Sequence, residues 1–170
     1  MKTLYLIRHS KSSWNSEHAS DWDRALMDRG ILDAHLVSGY IKTSYGIEMG
    51  GGVKYGFYSS SGVRAAHTAL IFMKTFGVPA SQLKLDDQLY LCPAEELQRV
   101  IRSTNDNVDT GFYFAHNPGV TNYINQYTNG RIDSVPTTGV SQIRFNIDRW
   151  SELGDEGELL NFDYPKKLGN

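Results

Sequence analysis

The chain has 170 residues, of which 40% are hydrophobic, and its formal net charge is −2 at pH 7. These values predict a single domain, residues 1–170, with a buried core, and they argue against a nucleic-acid or membrane partner. The one cysteine, Cys92, excludes an internal disulfide framework and a cysteine-rich zinc site, and the short apolar run after Met1 does not resemble a signal peptide, so we expect a cytoplasmic protein.

The first half of the chain alternates between strand-like and helix-like patterns. Residues 3–7 form a short continuous apolar run, which is typical of a strand buried on both faces. Residues 31–46 carry apolar side chains at helical spacing and end at a glycine, which predicts a helix. A second strand is predicted at residues 53–58, and a second helix at residues 62–76.

The second half continues this alternation and ends in strands. A short extended segment at residues 83–91 precedes a helix at 94–102, and a strand at 111–115 precedes a helix at 119–127. Strand followed by helix, repeated at least three times, predicts a three-layer α/β/α domain with a mostly parallel sheet. Two further strands, expected as antiparallel additions at the sheet edge, are predicted at residues 142–147 and 159–162.

Three of the predicted strands end in residues that suit an anionic ligand. The first strand runs into Arg8 and His9. The second runs into three serines and then Arg64, and a later strand runs into His116. Ligands of open α/β sheets bind at the carboxyl ends of the strands, and the planar fork of arginine donates paired hydrogen bonds to phosphate oxygens. If these strands are neighbours, two arginines and two histidines converge on a site for a tetrahedral dianion.

These residues lie in the segments RHSKSSWN, SSSGVRAAHTA and FAHNPGV. The three segments, in this order, resemble the signature segments of the histidine phosphatase superfamily, also called the phosphoglycerate mutase-like family, with Ser10 in place of the usual glycine. The DWDRALMDRG and PTTGVSQIRF segments, together with Leu89 and Tyr90, are more similar to the SixA-type phosphohistidine phosphatases. The similarity extends over roughly the whole chain, and it implies a phosphoglycerate mutase-like fold.

The resemblance also implies a mechanism in which His9 takes the phosphoryl group onto a ring nitrogen before water removes it. Arg8, Arg64 and a partly protonated His116 would form the phosphate pocket, and their positive charges would lower the pKa of His9 and keep it neutral. Neither a metal nor a cofactor is expected, because the chain has no HExxH motif and no carboxylate-rich cluster. Further contacts to the phosphate or to the rest of the substrate are expected from Ser10, including the backbone N–H groups around it, and from Asn15, Arg24 and Asn117.

The sequence indicates less clearly which residue donates a proton to the leaving group. Members of the family often use a carboxylic acid between the second arginine and the second histidine, and Asp87, three residues before Tyr90, has the matching motif position. Asp86, Glu95 and Glu96 are rival candidates. A phosphoramidate nitrogen is basic enough to be protonated without a strong acid, so this weak signal favours phosphohistidine over phosphate monoesters as the substrate.

The size of the chain bears on the substrate as well. Only about fifty residues separate Arg64 from His116, and predicted helices and a strand occupy most of them, which leaves little for a covering lid. An open site bordered by Lys11 and Arg24 suits a phosphorylated protein, and it is equally consistent with small phosphate esters.

Other functions have weaker support in the sequence. The SSSGV segment lacks the G-x-S-x-G elbow of a serine hydrolase, and no glycine fingerprint for a nucleotide follows the first strand. The glycines at positions 50–52 lack the Lys-Ser/Thr ending of a phosphate loop and predict a surface turn. The main rival is a non-catalytic phosphate- or phosphoprotein-binding module of the same fold. Three other histidines have no supporting motif and are predicted to be structural or exposed: His18, His35 and His67.

Overall fold

A six-stranded sheet runs through the centre of the computed structural model, which describes residues 1–14 and 20–169. In chain order its strands are β1 (Lys2–Arg8), β2 (Tyr55–Ser60), β3 (Leu83–Asp86), β4 (Thr110–Ala115), β5 (Val140–Phe145) and β6 (Glu158–Asp163). Their order across the sheet is β3-β2-β4-β1-β5-β6. The three strands that end in the candidate site residues, β2, β4 and β1, are therefore neighbours.

The directions of the strands confirm a mostly parallel sheet. Strands β1 and β2 each pair with β4 in parallel, and β3 pairs with β2 in parallel. Strand β5 runs antiparallel to β1, and β6 runs antiparallel to β5. Only β6 is an edge strand on this side, because β5 lies between β1 and β6. Strand β6 consequently points in the same direction as β1.

Four α-helices in the described residues cover the two faces of the sheet. They are α1 (Asp28–Ser44), α2 (Val63–Phe76), α3 (Ala94–Arg102) and α4 (Gly119–Tyr127). Alternate residues of β1 face opposite sides: Leu4 and Leu6 pack with apolar residues of α3 and α4, whereas Tyr5 and Ile7 pack with those of α1 and α2. This arrangement is the predicted three-layer α/β/α fold.

The predicted and observed elements differ most at the third strand. An extended segment is predicted over residues 83–91, but β3 ends at Asp86 and a 3₁₀ helix, Asp87–Leu89, follows. The carboxylate of Asp86 accepts a hydrogen bond from the Gln88 amide at 2.9 Å, which stabilises the turn and ends the strand. Other short 3₁₀ helices are Ala80–Gln82, Trp150–Glu152 and Pro165–Leu168.

The surface turn predicted at the three glycines is present in the structure. The glycines at positions 50–52 lie in an exposed turn and have positive φ angles, and Cys92 is buried. His35 is exposed and His67 is partly buried, whereas His18 lies outside the described residues. None of the helices in residues 1–14 and 20–169 has the length and apolar character that a membrane span requires.

Candidate active site

The structure brings His9, Arg64 and His116 together at the carboxyl edge of β1, β2 and β4. The Nε atom of Arg64 donates a hydrogen bond to Nε2 of His9 at 3.3 Å, and the centroids of the two imidazole rings are 5.1 Å apart. All three residues are buried, with exposed fractions of 8% for His9 and 2% for Arg64 and for His116. The convergence predicted from three separate strand ends is therefore present in the fold.

Hydrogen bonds at the ends of the strands explain why these side chains meet. The His9 amide continues the β1–β4 pairing by donating to the Ala115 carbonyl at 3.0 Å, which sets His9 beside His116. Arg64 lies in the first turn of α2, immediately after β2. Gly62 precedes this turn, and a Cβ atom there would lie 3.1 Å from the Tyr90 ring and 3.5 Å from His116, so a larger residue would crowd the site.

The surroundings of His9 select one tautomer. Its Nδ1 atom lies 2.8 Å from the carbonyl oxygen of Ser10, and because a carbonyl only accepts hydrogen bonds, Nδ1 carries the proton. Nε2 is then unprotonated, and its lone pair faces Arg64. The pKa of His9 is lowered to about 4, mainly by burial. The hydrogen bond to Ser10 raises this pKa, whereas the positive charges of Arg64, Arg8 and Arg24 lower it further. His9 is thus neutral at pH 7.

Ser10 accepts the hydrogen bond from the ring of His9, and two threonines bind its own amide and hydroxyl. Its amide donates to Oγ1 of Thr68 at 2.9 Å, and its hydroxyl accepts from Oγ1 of Thr138 at 2.8 Å. Thr138 has a φ of 61°, a left-handed conformation that costs energy in a β-branched residue, and its amide donates to the His9 carbonyl. The amide and the hydroxyl of Ser10 both have partners within the protein, so Ser10 supports His9, and its contact with the phosphate stays a prediction.

His116 is held through one ring nitrogen only. Its Nε2 atom lies 2.8 Å from Oγ of Ser60, and that hydroxyl also accepts from the Gly62 amide at 3.2 Å. The simplest assignment is that Ser60 donates to Nε2, which leaves the proton of His116 on Nδ1. Burial, followed by the proximity of His9 and Arg64, lowers the pKa of His116 to about 3. His116 is therefore neutral at pH 7, and the expectation of a partly protonated ring is wrong.

Two buried nitrogen atoms at the site have no hydrogen-bond partner in the described part of the chain. They are Nδ1 of His116 and Nε of Arg8. Arg8 is anchored separately, since its Nη1 atom donates to the Val135 carbonyl at 2.7 Å. Buried polar groups in folded proteins nearly always have partners, so two such donors beside His9 are consistent with a site for ligand oxygen atoms.

Asp21 is a member of the site that the sequence did not reveal. Its Oδ2 atom accepts from Nη2 of Arg64 at 3.0 Å and from the Tyr90 hydroxyl, and its Oδ1 atom accepts from Nη1 of Arg24 at 2.9 Å. Its backbone carbonyl accepts from Nη1 of Arg64. The bond from Tyr90, then those from Arg24 and Arg64, hold the pKa of Asp21 well below its usual range, so this group is a carboxylate and not an acid catalyst at pH 7.

Arg24 contacts the site through Asp21, and its predicted role in binding the substrate stays a prediction. Besides Asp21, it contacts the chain just after β1, because its Nη2 atom donates to Oγ of Ser12 at 2.7 Å and its Nε atom donates to the Ser13 carbonyl. Its guanidinium carbon lies 3.3 Å from the centroid of the Trp14 ring. Arg24 therefore connects to the Arg64 fork through Asp21.

Among the described residues, the predicted proton donor makes no hydrogen bond to His9 or His116. Asp87 is exposed, and its carboxylate accepts a hydrogen bond from the Ser61 hydroxyl. Its role in proton transfer stays a prediction. The rival carboxylates have other partners: Asp86 caps the 3₁₀ helix, Glu96 pairs with Arg99, and Glu95 accepts from Gln126.

Asn117 contacts the loop after α4 and makes no hydrogen bond to His9. Its amide nitrogen donates to the Val135 carbonyl at 3.0 Å and to the Ser134 hydroxyl, and its oxygen accepts from Oγ1 of Thr121. The same Val135 carbonyl anchors Arg8, so Asn117 braces the loop that positions Arg8. The other predicted amide contact, from Asn15, lies outside the described residues.

No three histidine, cysteine, aspartate or glutamate side chains in residues 1–14 and 20–169 are close enough together to hold a metal ion. Among the described residues, the polar side chains at the candidate site include histidines, arginines, serines and the Asp21 carboxylate.

The site contains a histidine whose unprotonated Nε2 faces an arginine fork, and it lies at the carboxyl edge of an α/β/α sheet. This arrangement is expected of a histidine phosphatase. A model of the histidine phosphatase superfamily (branch 1) matches residues 4–90, just over half of the chain, and the chain belongs to this superfamily. The resemblance read from the motifs is thus confirmed, and membership in the superfamily supports phosphatase activity.

Individual relatives extend this comparison over the whole chain. An uncharacterized protein of Mycobacterium leprae is 26% identical, and the match covers 94% of this chain and all of that protein. The structure of the protein histidine phosphatase SixA complexed with tungstate has a TM-score of 0.78 at 18% identity and covers 98% of this chain and 99% of that one. A structure from Agrobacterium tumefaciens that is assigned to SixA has a TM-score of 0.76 at 19% identity, with 96% and 98% covered. These structures share the fold of this chain.

Proposed function

We propose that the chain is a phosphatase in which Nε2 of His9 accepts the phosphoryl group of the substrate. The carrying observation is the bond from Nδ1 of His9 to the Ser10 carbonyl, which leaves Nε2 unprotonated, with its lone pair directed at Nε of Arg64 in a long 3.3 Å hydrogen bond that the substrate would replace. A nucleophile must be unprotonated, and the low pKa of His9 supplies that state at pH 7. This geometry supports a reaction on the nitrogen that faces the arginines.

The reaction has two steps. Nε2 attacks phosphorus, an N–P bond forms, and the bond from phosphorus to the leaving oxygen or nitrogen breaks while the leaving group takes up a proton. Water then attacks the phosphorus of the phosphohistidine, the N–P bond breaks, inorganic phosphate leaves, and one proton of the water passes to solvent. His9 returns to its neutral form, so the cycle consumes only water and substrate.

The residues around His9 would stabilise the phosphoryl group during transfer. Charge builds up on its equatorial oxygen atoms, and fixed donors in a buried site stabilise that charge more strongly than water does. Arg8 and Arg64 would supply cationic donors, and Nδ1 of His116 would supply a neutral one. Because both histidines are neutral, the positive charge of the pocket comes from the arginines.

The substrate that fits these observations best is phosphohistidine on a protein. Asp21 is ionised and Asp87 is exposed, so neither provides a buried carboxylic acid next to His9. The leaving imidazole of a phosphohistidine is basic enough to take a proton without such an acid, whereas an ester oxygen gains more from one. Small phosphate esters with good leaving groups would be the second class of substrate, and Asp87 is the proposed donor for them.

Hydrolysis assays with the His9→Ala variant test the proposal. The substrates are p-nitrophenyl phosphate and a phosphohistidine peptide, both assayed with EDTA present, and His35→Ala serves as the control because His35 is an exposed histidine on α1. We expect His9→Ala to lower kcat by more than about a thousandfold. We also expect acid-labile phosphate on the native protein after rapid quenching.

Three results would overturn the proposal. Turnover that survives in His9→Ala would remove His9 from the mechanism, and turnover that EDTA abolishes would show that a metal is needed. Binding of inorganic phosphate without any turnover would identify the chain as a non-catalytic phosphate-binding module.

A further inference from the structure

A cavity of about 370 Å³ lies near the His9 site at the same edge of the sheet. Lys11 reaches it from the end of β1, and Lys166 reaches it from the end of β6, which points in the same direction as β1. Pro136 reaches it from the loop before β5, the strand that runs the opposite way. The rest of its lining is Arg29, Asp33, Thr137, Tyr164 and Pro165.

The cavity and the His9 site share a wall formed by the loop 135–138. The carbonyl of Val135 binds Nη1 of Arg8 at 2.7 Å. At the other end of the loop, the Thr138 amide donates to the His9 carbonyl, and its hydroxyl donates to Ser10. Pro136 and Thr137, between these two anchors, line the cavity. A ligand group in the cavity would therefore be separated from the His9 site by this loop alone.

The charge of the cavity is opposite to that of the whole chain. Three cationic side chains and one carboxylate line it, a formal charge of +2, whereas the chain as a whole carries −2. Arg29 pairs with the carboxylate of Asp33 at 2.8 Å. Within the described residues, the ion pairs do not include Lys11 or Lys166, and both side chains are exposed. Cations gathered in a cleft attract anions and raise their local concentration.

We propose that this cavity binds a second anionic group on the substrate whose phosphoryl group is transferred to His9. The proposal rests on the proposed function and narrows its substrate class to molecules with two anionic groups. Lys11 is two residues from His9, so their Cα atoms are at most about 7 Å apart, and a carboxylate one or two residues from a phosphorylated side chain is one form of the second anion that we propose. A second phosphate on a small ester has the same chemistry. Pro136, Tyr164 and Pro165 would contact the atoms that join the two anionic groups.

Lys166→Glu is the variant that tests the cavity. Lys166 is exposed, and within residues 1–14 and 20–169 its side chain has no hydrogen bond or ion pair, so the substitution reverses one charge of the cavity without breaking such a bond. Lys74→Glu is the matched control. It makes the same change of net charge on an exposed lysine ten residues beyond Arg64 in α2, about 15 Å along that helix.

Two pairs of substrates separate the possible sources of the second anion. One pair is a phosphohistidine peptide with glutamate or with glutamine at the flanking positions, and the other is a sugar bisphosphate and the corresponding monophosphate. We expect the native protein to have a higher kcat/KM for the doubly anionic member of at least one pair. Lys166→Glu should reduce that preference about three- to tenfold, Lys166→Gln should reduce it less, and Lys74→Glu should not reduce it.

The proposal is overturned if the native protein shows no preference in either pair, or if Lys166→Glu and Lys74→Glu reduce the preference equally. Failure of the proposed function is a separate result. If no substrate turns over, calorimetric binding of the same ligands and of inorganic phosphate still tests the cavity. Lys166→Glu should then weaken binding of the doubly anionic ligands more than binding of inorganic phosphate, and an equal loss for both would contradict the proposal.

Discussion

Asp21 places a carboxylate on the arginine fork that a phosphate group would use. Both terminal nitrogens of Arg64 donate to Asp21, one to its carboxylate and one to its backbone carbonyl. A bound phosphate would compete with this carboxylate for Arg64 and would also be repelled by it. Asp21 should therefore keep the affinity for phosphate moderate, which favours release of inorganic phosphate after each turnover.

The Asp21→Asn variant tests this effect of a single charge. The asparagine side chain keeps one accepting oxygen, exchanges the other for an amide nitrogen that cannot accept, and carries no negative charge, so we expect inorganic phosphate to inhibit or bind about three- to tenfold more tightly than in the native protein. The inhibition constant against p-nitrophenyl phosphate, or calorimetry in the absence of substrate, measures the change.

Asp23→Asn is the control for Asp21→Asn, because Asp23 is exposed in the same turn and, among the described residues, its carboxylate accepts a hydrogen bond from Ser20 and none from Arg64. It should shift the phosphate affinity much less. If Asp21→Asn weakens the binding of phosphate, then Asp21 acts mainly by holding Arg64 in position, and the competition described above does not occur.

Helix α1 contains two glycines whose surroundings differ sharply. A Cβ atom on Gly30, in the first turn, would lie 2.1 Å from the carbonyl oxygen of Lys11, whereas a Cβ atom on Gly39 would have no neighbour within 4 Å. The close approach at Gly30 packs the start of α1 against the chain that follows His9. This contact connects the helix to the active-site loop.

Alanine substitutions at these two glycines should have opposite effects. Gly39→Ala should raise the free energy of unfolding by about 0.5–1 kcal/mol, because alanine loses less backbone entropy in a helix. Gly30→Ala should lower it by about 1–3 kcal/mol and should also reduce kcat/KM, because the backbone of Lys11 must move. Urea unfolding and hydrolysis assays measure both effects, and a stabilised, fully active Gly30→Ala would refute the role given to this contact.

The elements that sequence patterns predicted well are those with a clear apolar signal. Helices α3 and α4 have the predicted bounds, and β4 is buried along its whole length. Helix α1 begins three residues before the predicted start, because Asp28 and Arg29 in its first turn are exposed and contribute no apolar period. Strand β3 is shorter than predicted because the carboxylate of Asp86 caps a turn there, a local polar contact that hydrophobic patterns do not show.

The residues of the candidate site also include some that sequence patterns indicate and others that only the folded structure reveals. Arg8 ends β1, and the other three motif residues follow strands, so the sheet topology brings them to one edge: His9, Arg64 and His116. Asp21 lies in a loop, and its contacts with Arg64 and Tyr90 span 43 and 69 residues of chain, which no local pattern indicates. The support of His9 through Thr138 depends on a backbone angle that only the folded structure reveals.

Burial of two neutral histidines has a consequence for the stability of the whole molecule. The pKa values of His9 and His116 are about 4 and about 3 in the folded protein, below the value of about 6.5 expected in an unfolded chain. Between these values the unfolded chain binds protons that the folded protein does not bind. Stability is therefore lost as the pH falls below 6.5, and this loss levels off once the pH is below the folded pKa values.

We expect the free energy of unfolding of the native protein to fall between pH 7 and pH 5, by up to about 1.4 kcal/mol per pH unit for each of the two histidines below pH 6.5. Urea unfolding at pH 7, 6 and 5 measures this slope. His116→Asn removes one of the two groups, so its slope should be smaller than that of the native protein even if its stability at pH 7 is lower. His35→Asn, at an exposed position, should keep the native slope. An unchanged slope in His116→Asn would mean that His116 is protonated in the folded protein, and the neutral pocket proposed around His9 would have to be abandoned.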